Sequence, residues 1–407
     1  MAASDEDTRA PRGGATGMTL IPLSDVERAH EARLRALIEQ ELEANGGWLP
    51  FARYMQLALY APGLGYYAAG AHKLGRGGDF VTAPELSPVF GRSLARQCAD
   101  VLGALGHGAI LELGAGSGAF AADLLGALAR LGCLPEHYRI LEPSPDLRER
   151  QRERLLSLPA ALSGRIEWLE RVPAEPFAGL VLANEVLDAL PVERFSRTAA
   201  GVVALGVGRE QGRFAWVARP ADALLAQAVG ELEAERGAPF AQGYESELCP
   251  SLRAWVGAVT APLERGVALF IDYGLARAGY YAPARSTGTF ACYHRQRRHE
   301  DPFVNLGLQD LTAWVDFTRV AEAGVAAGLE VAGYTTQANF LLALGFEEEL
   351  ATLRAESEPT RAPLIGRTAA RLVLPTEMGE SFKCIALSRG FEQPLRGFTL
   401  KDFTASL

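Results

Sequence analysis

The stretch Ala109-Ile110-Leu111-Glu112-Leu113-Gly114-Ala115-Gly116-Ser117-Gly118-Ala119-Phe120 decides how this chain is read. A short apolar run passes through three alternating glycines straight into a helical pattern, in which Phe120, Leu124, Leu125, Leu128 and Leu131 share one face. Glycine lets the backbone turn sharply and approach a ligand, and the helix that follows presents free N–H groups at its N-terminus. Strand, glycine loop and helix in that order make a ligand-binding turn of an α/β sheet. The loop alone does not choose the ligand, because Gly114-x-Gly116-x-x-Ala119 also fits the dinucleotide fingerprint.

Outward from the loop, further short apolar runs at 138–141, 165–169, 180–183 and 267–271 alternate with helical stretches such as 146–158, which predicts a doubly wound, parallel Rossmann-like sheet. Two stretches interrupt the alternation. The first, of about 80 residues, contains a hairpin over 201–207 and 213–217; the second, 274–309, is loop-rich and a candidate lid. Ahead of the glycine loop, helices are expected over 24–43, 49–60 and 87–105, with a glycine-dense segment at 75–85 between the last two. After the interruptions come a helix over 310–327, a strand over 330–335, a helix over 339–354 and a last strand over 382–387, placed to pair antiparallel at the end of the sheet. The expected division is a disordered tail (1–20), an N-terminal helical cap with the glycine-rich loop (21–105), a main domain (106–390) with insertions at about 195–264 and 275–309, and a C-terminal tail (391–407).

Composition bounds the function. With 407 residues, 48% hydrophobic and 22% charged, the chain buries an ordinary core and is neither disordered overall nor fibrous. Its net charge is −9, and only three of its 40 basic residues are lysines, which argues against a nucleic-acid backbone binder. Five scattered cysteines without a CxxC pair argue against a disulfide framework or a structural zinc, and no metal is expected. No apolar run is long enough for a membrane span. The small, polar start with its acidic 5–7 cluster is unlike a signal or transit peptide, so the expected location is the cytoplasm. A homo-oligomer is left open.

Two acids beside the loop narrow the ligand. Glu112 lies two residues before the first glycine, where it would repel a pyrophosphate but suits a cation. Glu142 ends the second apolar run, where it can accept hydrogen bonds from both hydroxyls of a ribose. Glu112-x-Gly-x-Gly-x-Gly with an acid ending the second strand resembles the S-adenosyl-L-methionine (SAM) loop of class I methyltransferases, here through Gly114, Ala115, Gly116 and Gly118. A P-loop needs Gly-Lys-Ser/Thr, and a nucleophile elbow needs Gly-x-Ser-x-Gly; neither is present around Ser117.

Further blocks carry a wider resemblance. Leu49-Pro50-Phe51-Ala52-Arg53-Tyr54-Met55, Tyr60-Ala61-Pro62 with Gly65-Tyr66-Tyr67, Gly78-Asp79-Phe80-Val81-Thr82-Ala83-Pro84-Glu85, Ala183-Asn184-Glu185-Val186-Leu187-Asp188-Ala189-Leu190-Pro191 and Ile271-Asp272-Tyr273-Gly274 are similar to the signature blocks of the MidA-like SAM-dependent methyltransferases. So is the segment 310–317, and the blocks run in the family order over nearly the whole chain. The resemblance implies SAM as cofactor, with S-adenosyl-L-homocysteine (SAH) as product, and a protein substrate. Its mitochondrial members are similar to arginine methyltransferases that act on a respiratory complex I subunit during assembly. Family members commonly carry adjacent histidines where this chain has the separated His294 and His299, so no histidine role is carried over.

Methyl transfer from a sulfonium needs positioning more than a covalent nucleophile. A guanidinium acceptor arrives protonated and must be oriented and relieved of a proton, a task suited to carboxylates. The expected catalytic residues are Glu185 and Asp188, beyond the fourth strand, with Asp272 at the end of the fifth and the Asn184 amide. For the cofactor, Asp79, Thr82 and Glu85 come from the glycine-dense loop; Trp168 and Leu169, ending the third strand, are expected to line the adenine slot, and Asn184 also faces the cofactor. The alternatives are a non-catalytic SAM-binding assembly factor and a nicotinamide-dependent oxidoreductase.

Overall fold

The computed structural model describes residues 21–69 and 81–407. Asp79 and the expected N-terminal tail lie outside the described residues. Eight strands among the described residues build the central sheet: β1 (Ala109–Leu113), β2 (Tyr138–Leu141), β3 (Ile166–Leu169), β4 (Phe177–Asn184), β5 (Leu263–Leu275), β6 (Glu330–Thr336), β7 (Phe382–Arg389) and the short Val315–Asp316, which pairs with the end of β5. Their order is β3-β2-β1-β4-β5-β7-β6. Strands β1 to β5 run parallel, and β7 is antiparallel to both of its neighbours. The chain order reverses between β1 and β4, so a crevice opens at the carboxyl ends of these two strands.

All five residues of β1 are buried, which is why the run is apolar apart from Glu112 rather than alternating. Its side chains still sort by period two. Ile110, with Leu180, Leu182 and Leu269, packs toward helices Val89–Leu105 and Ala119–Arg130; Leu111, with Val181, Ala268 and Phe270, packs toward helices Leu252–Thr260 and Phe317–Ala326. At the opposite end of the sheet Ala109, Gly179 and Gly266 face one another in register. Gly179 has φ +145°, and a Cβ there would fall 1.9 Å from the Ala109 carbonyl oxygen, so only glycine fits.

Between β4 and β5 the chain forms a four-stranded antiparallel sheet in the order Arg213–Pro220, Gly201–Glu210, Glu193–Thr198, Glu245–Leu248. It packs with the N-terminal helices Asp25–Ala44 and Phe51–Tyr60 around Leu34, Tyr54, Val207 and Phe214. The loop-rich stretch after β5 carries the hairpin Ala291–His294 and Arg297–His299, whose first strand also pairs with Asp310–Thr312. Its buried Phe290 and Cys292 join the same cluster.

Three sequence expectations fail for local reasons. The helix expected over 310–327 begins only at Phe317, capped by Asp316; the residues before it alternate with period two and form short strands. The helix expected over 339–354 is split at Gly345, whose φ of +79° ends one helix and opens the next. The expected C-terminal tail is packed: Gly397 N donates to Gln97 Oε1 at 2.9 Å, Phe398 is buried, and Phe403 N donates to the Tyr334 carbonyl.

Candidate active site

The glycine loop leaves β1 with Gly114, Gly116 and Gly118 at φ +63°, +55° and +79°, a left-handed zigzag that a side chain would strain at each step. It borders a cleft of about 800 Å³ at the carboxyl ends of the sheet, a volume in the range of small-molecule sites. Thr82, Glu85, Glu112, Gly114, Ala115, Gly116, Glu142, Asn184 and Glu185 all line it. The fold therefore gathers most of the sequence-predicted site into one place.

Each of these carboxyls is held. Glu112, on β1, accepts from Tyr138 Oη at 2.8 Å, and burial pushes it up to about 8. Glu142 accepts from Ser144 N at 3.0 Å on one oxygen and from Gln151 Nε2 at 3.1 Å on the other; burial pushes it up to about 7. Glu185 sits at φ +55°, rare for a residue with a side chain and of the kind concentrated at functional sites. Its Oε1 accepts from Ala83 N at 2.9 Å and Asn184 Nδ2 at 3.0 Å, and burial, opposed by the Ala83 bond, lifts it to about 8. Asn184 lines the cleft, and its Oδ1 is buried without a hydrogen-bond partner. Glu85 accepts from Ser117 Oγ, which also accepts from Arg154 at 2.8 Å, tying the segment around Ala83 to the glycine loop.

Among the described residues the cleft wall carries six acids, Glu85, Glu112, Glu142, Asp146, Glu170 and Glu185, and one cation, Arg171. Arg154 pairs with Glu85 and Arg148 with Glu170, while burial raises Glu112, Glu142 and Glu185, which a cationic ligand would relieve. The loop also fits the SAM group: three glycines admit the ligand close to the backbone, Glu142 keeps lone pairs for a ribose, and the acids suit a sulfonium and an ammonium.

Several expectations are corrected. Asp272 is fully buried and off the cleft: its Oδ2 accepts from the N–H groups of Val186, Leu187 and Asp188 at 3.1, 2.9 and 3.2 Å, and its Oδ1 from Tyr273 N, so it anchors the turn after β4. Burial, reinforced by Asp188 and Glu185, raises it well above the usual carboxylate range. Asp188 also lies off the cleft, accepting from Tyr273 Oη, and is lifted by burial to about 6. Trp168 and Leu169 do not line the cleft; the chain reaches it only beyond the end of β3, at Glu170, Arg171 and Val172. Gly118 faces Leu155 and caps the helix rather than the ligand space. Cleft residues without a sequence-assigned role include Tyr60 and Tyr67, whose rings stack at 5.6 Å, and Trp255 and Val259 from the helix before β5. The tyrosines stood inside a resemblance block and could have been chosen; Trp255 and Val259, in an insertion, gave no signal.

A family model described as "Putative S-adenosyl-L-methionine-dependent methyltransferase" matches residues 93–335. The chain belongs to this methyltransferase family. A crystallised superfamily member from Burkholderia thailandensis, bound to SAH, is 42% identical and superposes with a TM-score of 0.89 over 96% of this chain and all of that one. A Danio rerio protein, "Protein arginine methyltransferase NDUFAF7, mitochondrial", is 30% identical over 83% of this chain and 82% of its own length. Its Homo sapiens namesake is 29% identical over 84% and 80%. The methyltransferase is a class I SAM-dependent enzyme, and the nicotinamide alternative falls with this assignment.

Proposed function

We propose that this methyltransferase methylates the guanidinium of an arginine in a protein, and that the acceptor protein is a respiratory complex I subunit. The observation carrying the reading is the acidic cleft lined by Glu185 and Asn184, with the Asn184 amide holding the Glu185 carboxyl at 3.0 Å. With Glu85, Glu112 and Glu142 assigned to the cofactor, Glu185 is the raised carboxyl left for an acceptor, and a planar cation would be held by it. Relatives named as protein arginine methyltransferases support the same class.

When bound, SAM supplies an electrophilic methyl on a sulfonium. In this reading the backbone of Gly114 to Gly116, with Thr82 and Glu85, holds its amino-acid end, Glu142 takes the ribose hydroxyls, and Glu112 neutralises positive charge at the loop. Asn184 orients the acceptor at one remove, its Nδ2 holding Glu185 Oε1 in place. Glu185, pinned by Ala83 and Asn184, takes the proton from the nitrogen that attacks. Asp188 and Asp272 act at one remove, by fixing the turn that carries Glu185. No helix among the described residues is long and apolar enough to cross a membrane. The cytoplasmic location expected from the sequence stands against relatives whose names say mitochondrial, and fractionation of expressing cells discriminates the two.

The test is methyl transfer from SAM to arginine-containing proteins, read by mass spectrometry of methylated peptides. Methylarginine that disappears in Glu185→Gln, with SAH binding retained, supports the reading. SAH binding without any transfer would instead favour the non-catalytic assembly factor.

A further inference from the structure

We infer that Gln151 is a positioning residue for the cofactor, a clamp that fixes the ribose-reading carboxylate of Glu142 to the glycine loop. The inference rests on the proposed role of Glu142 in holding the ribose.

Gln151 is fully buried in the helix Pro145–Leu155, seven residues beyond the cap Ser144. Its Nε2 donates to the Gly116 carbonyl at 2.9 Å and to Glu142 Oε2 at 3.1 Å, and its Oε1 accepts from Trp168 Nε1 at 3.1 Å. An indole N–H can only donate and a carbonyl and carboxylate can only accept, so the amide has one allowed orientation. The Arg152 guanidinium lies 5.4 Å over the Trp168 ring and packs the indole in place. One side chain thus joins the ends of three adjacent parallel strands: the loop after β1, the acid after β2 and the indole of β3.

This arrangement has a chemical consequence. Ser144 N holds one oxygen of Glu142 and Gln151 holds the other, so the carboxylate cannot rotate, and its remaining lone pairs point where two vicinal hydroxyls can both donate. The second Nε2 bond sets the distance from that carboxylate to the Gly116 backbone, hence from the ribose to the amino-acid end of the ligand. The bond from Gln151 also opposes the upward push of burial on Glu142. It explains why Trp168, expected in the adenine slot, stands outside it: its indole serves the clamp.

The experiment measures calorimetric affinities of the full chain for SAH and 2′-deoxy-SAH, in wild type, Gln151→Glu and Gln151→Met. The first substitution keeps the size but replaces both donors with an acceptor; the second removes polarity without adding charge. Wild type should prefer SAH over the deoxy ligand by about tenfold or more, the worth of a hydrogen bond to a carboxylate. The substitutions should weaken SAH about tenfold or more and bring the preference close to one, with little further loss for the deoxy ligand. Equal weakening of both ligands, with the preference kept, would mean a merely structural glutamine and overturn the inference, as would unchanged SAH affinity. Either substitution that folds suffices, because the ratio is read within one protein. A wild type without ribose preference would instead remove the role of Glu142 itself.

Discussion

Replacing Glu185 by glutamine should separate the chemistry from the scaffold. The new amide oxygen can keep the bonds from Ala83 N and Asn184 Nδ2, so the turn after β4 stays as it is while the charge and the proton acceptor go. Loss of a general base reduces turnover about 10²- to 10⁴-fold, with SAH affinity changed less than about twofold. Stability should move the other way. The carboxyl titrates at about 8 in the folded protein against an ordinary value of 4.5, so between those pH values the unfolded chain has released a proton that the folded one retains. Stability is therefore lost as pH rises through this window, at most about 1.4 kcal/mol per unit and about 4 kcal/mol by pH 7.5. Because the side chain is only partly buried and opens on the cleft, water reduces this to about 2 kcal/mol. Urea denaturation at pH 7.5 and 4.5, with single-turnover transfer assays, gives both readouts. Glu185→Gln should be the more stable protein at pH 7.5 and equal to wild type at pH 4.5. Undiminished turnover, or a destabilised variant at pH 7.5, would refute the reasoning.

In wild type the ionised form of Glu185 is the base, so kcat/KM for a cationic acceptor should rise with pH through about 8, and a profile flat from pH 6 to 9 would contradict that role. Asp272→Ala leaves the N–H groups of Val186, Leu187 and Asp188 without their acceptor and should cost about 2–4 kcal/mol in urea denaturation, an effect of position rather than of touching substrate. Gly179→Ala drives a methyl into the Ala109 carbonyl and should destabilise by about 3 kcal/mol or more, read by the thermal midpoint, although the site is at the far end of the sheet. Glu142→Ala should weaken SAH binding about tenfold or more in calorimetry and, by leaving Ser144 N and Gln151 Nε2 without their acceptor, cost about 1–3 kcal/mol of stability.

The strands were legible because a parallel sheet buried on its faces demands short, mainly apolar runs, and β1 and β2 begin and end where those runs do despite Glu112 and Arg139 within them. The glycine loop was legible because positive φ restricts the residue type at 114, 116 and 118. Segments where one residue decides the geometry were not: the break at Gly345 and the capped helix start at Phe317 depend on local turns inside otherwise periodic stretches. In the site, carboxylates could be named from strand ends, but not which way they face. Glu185 lies just past β4 and Asp272 near the end of β5; Asp272 turns inward to three backbone N–H groups and Glu185 outward to the cleft. Gln151 was invisible because its meaning comes from contacts 35, 9 and 17 residues away, none of which a motif encodes.

The measurement that tests the central claim most directly is incubation of the purified chain and methyl-labelled SAM with a lysate from cells lacking the chain, followed by site mapping of the labelled peptides. The account predicts label on arginine side chains, absent with Glu185→Gln. Label on a hydroxyl, a carboxyl or a carbon, or no transfer in a lysate that contains complex I subunits, would contradict it.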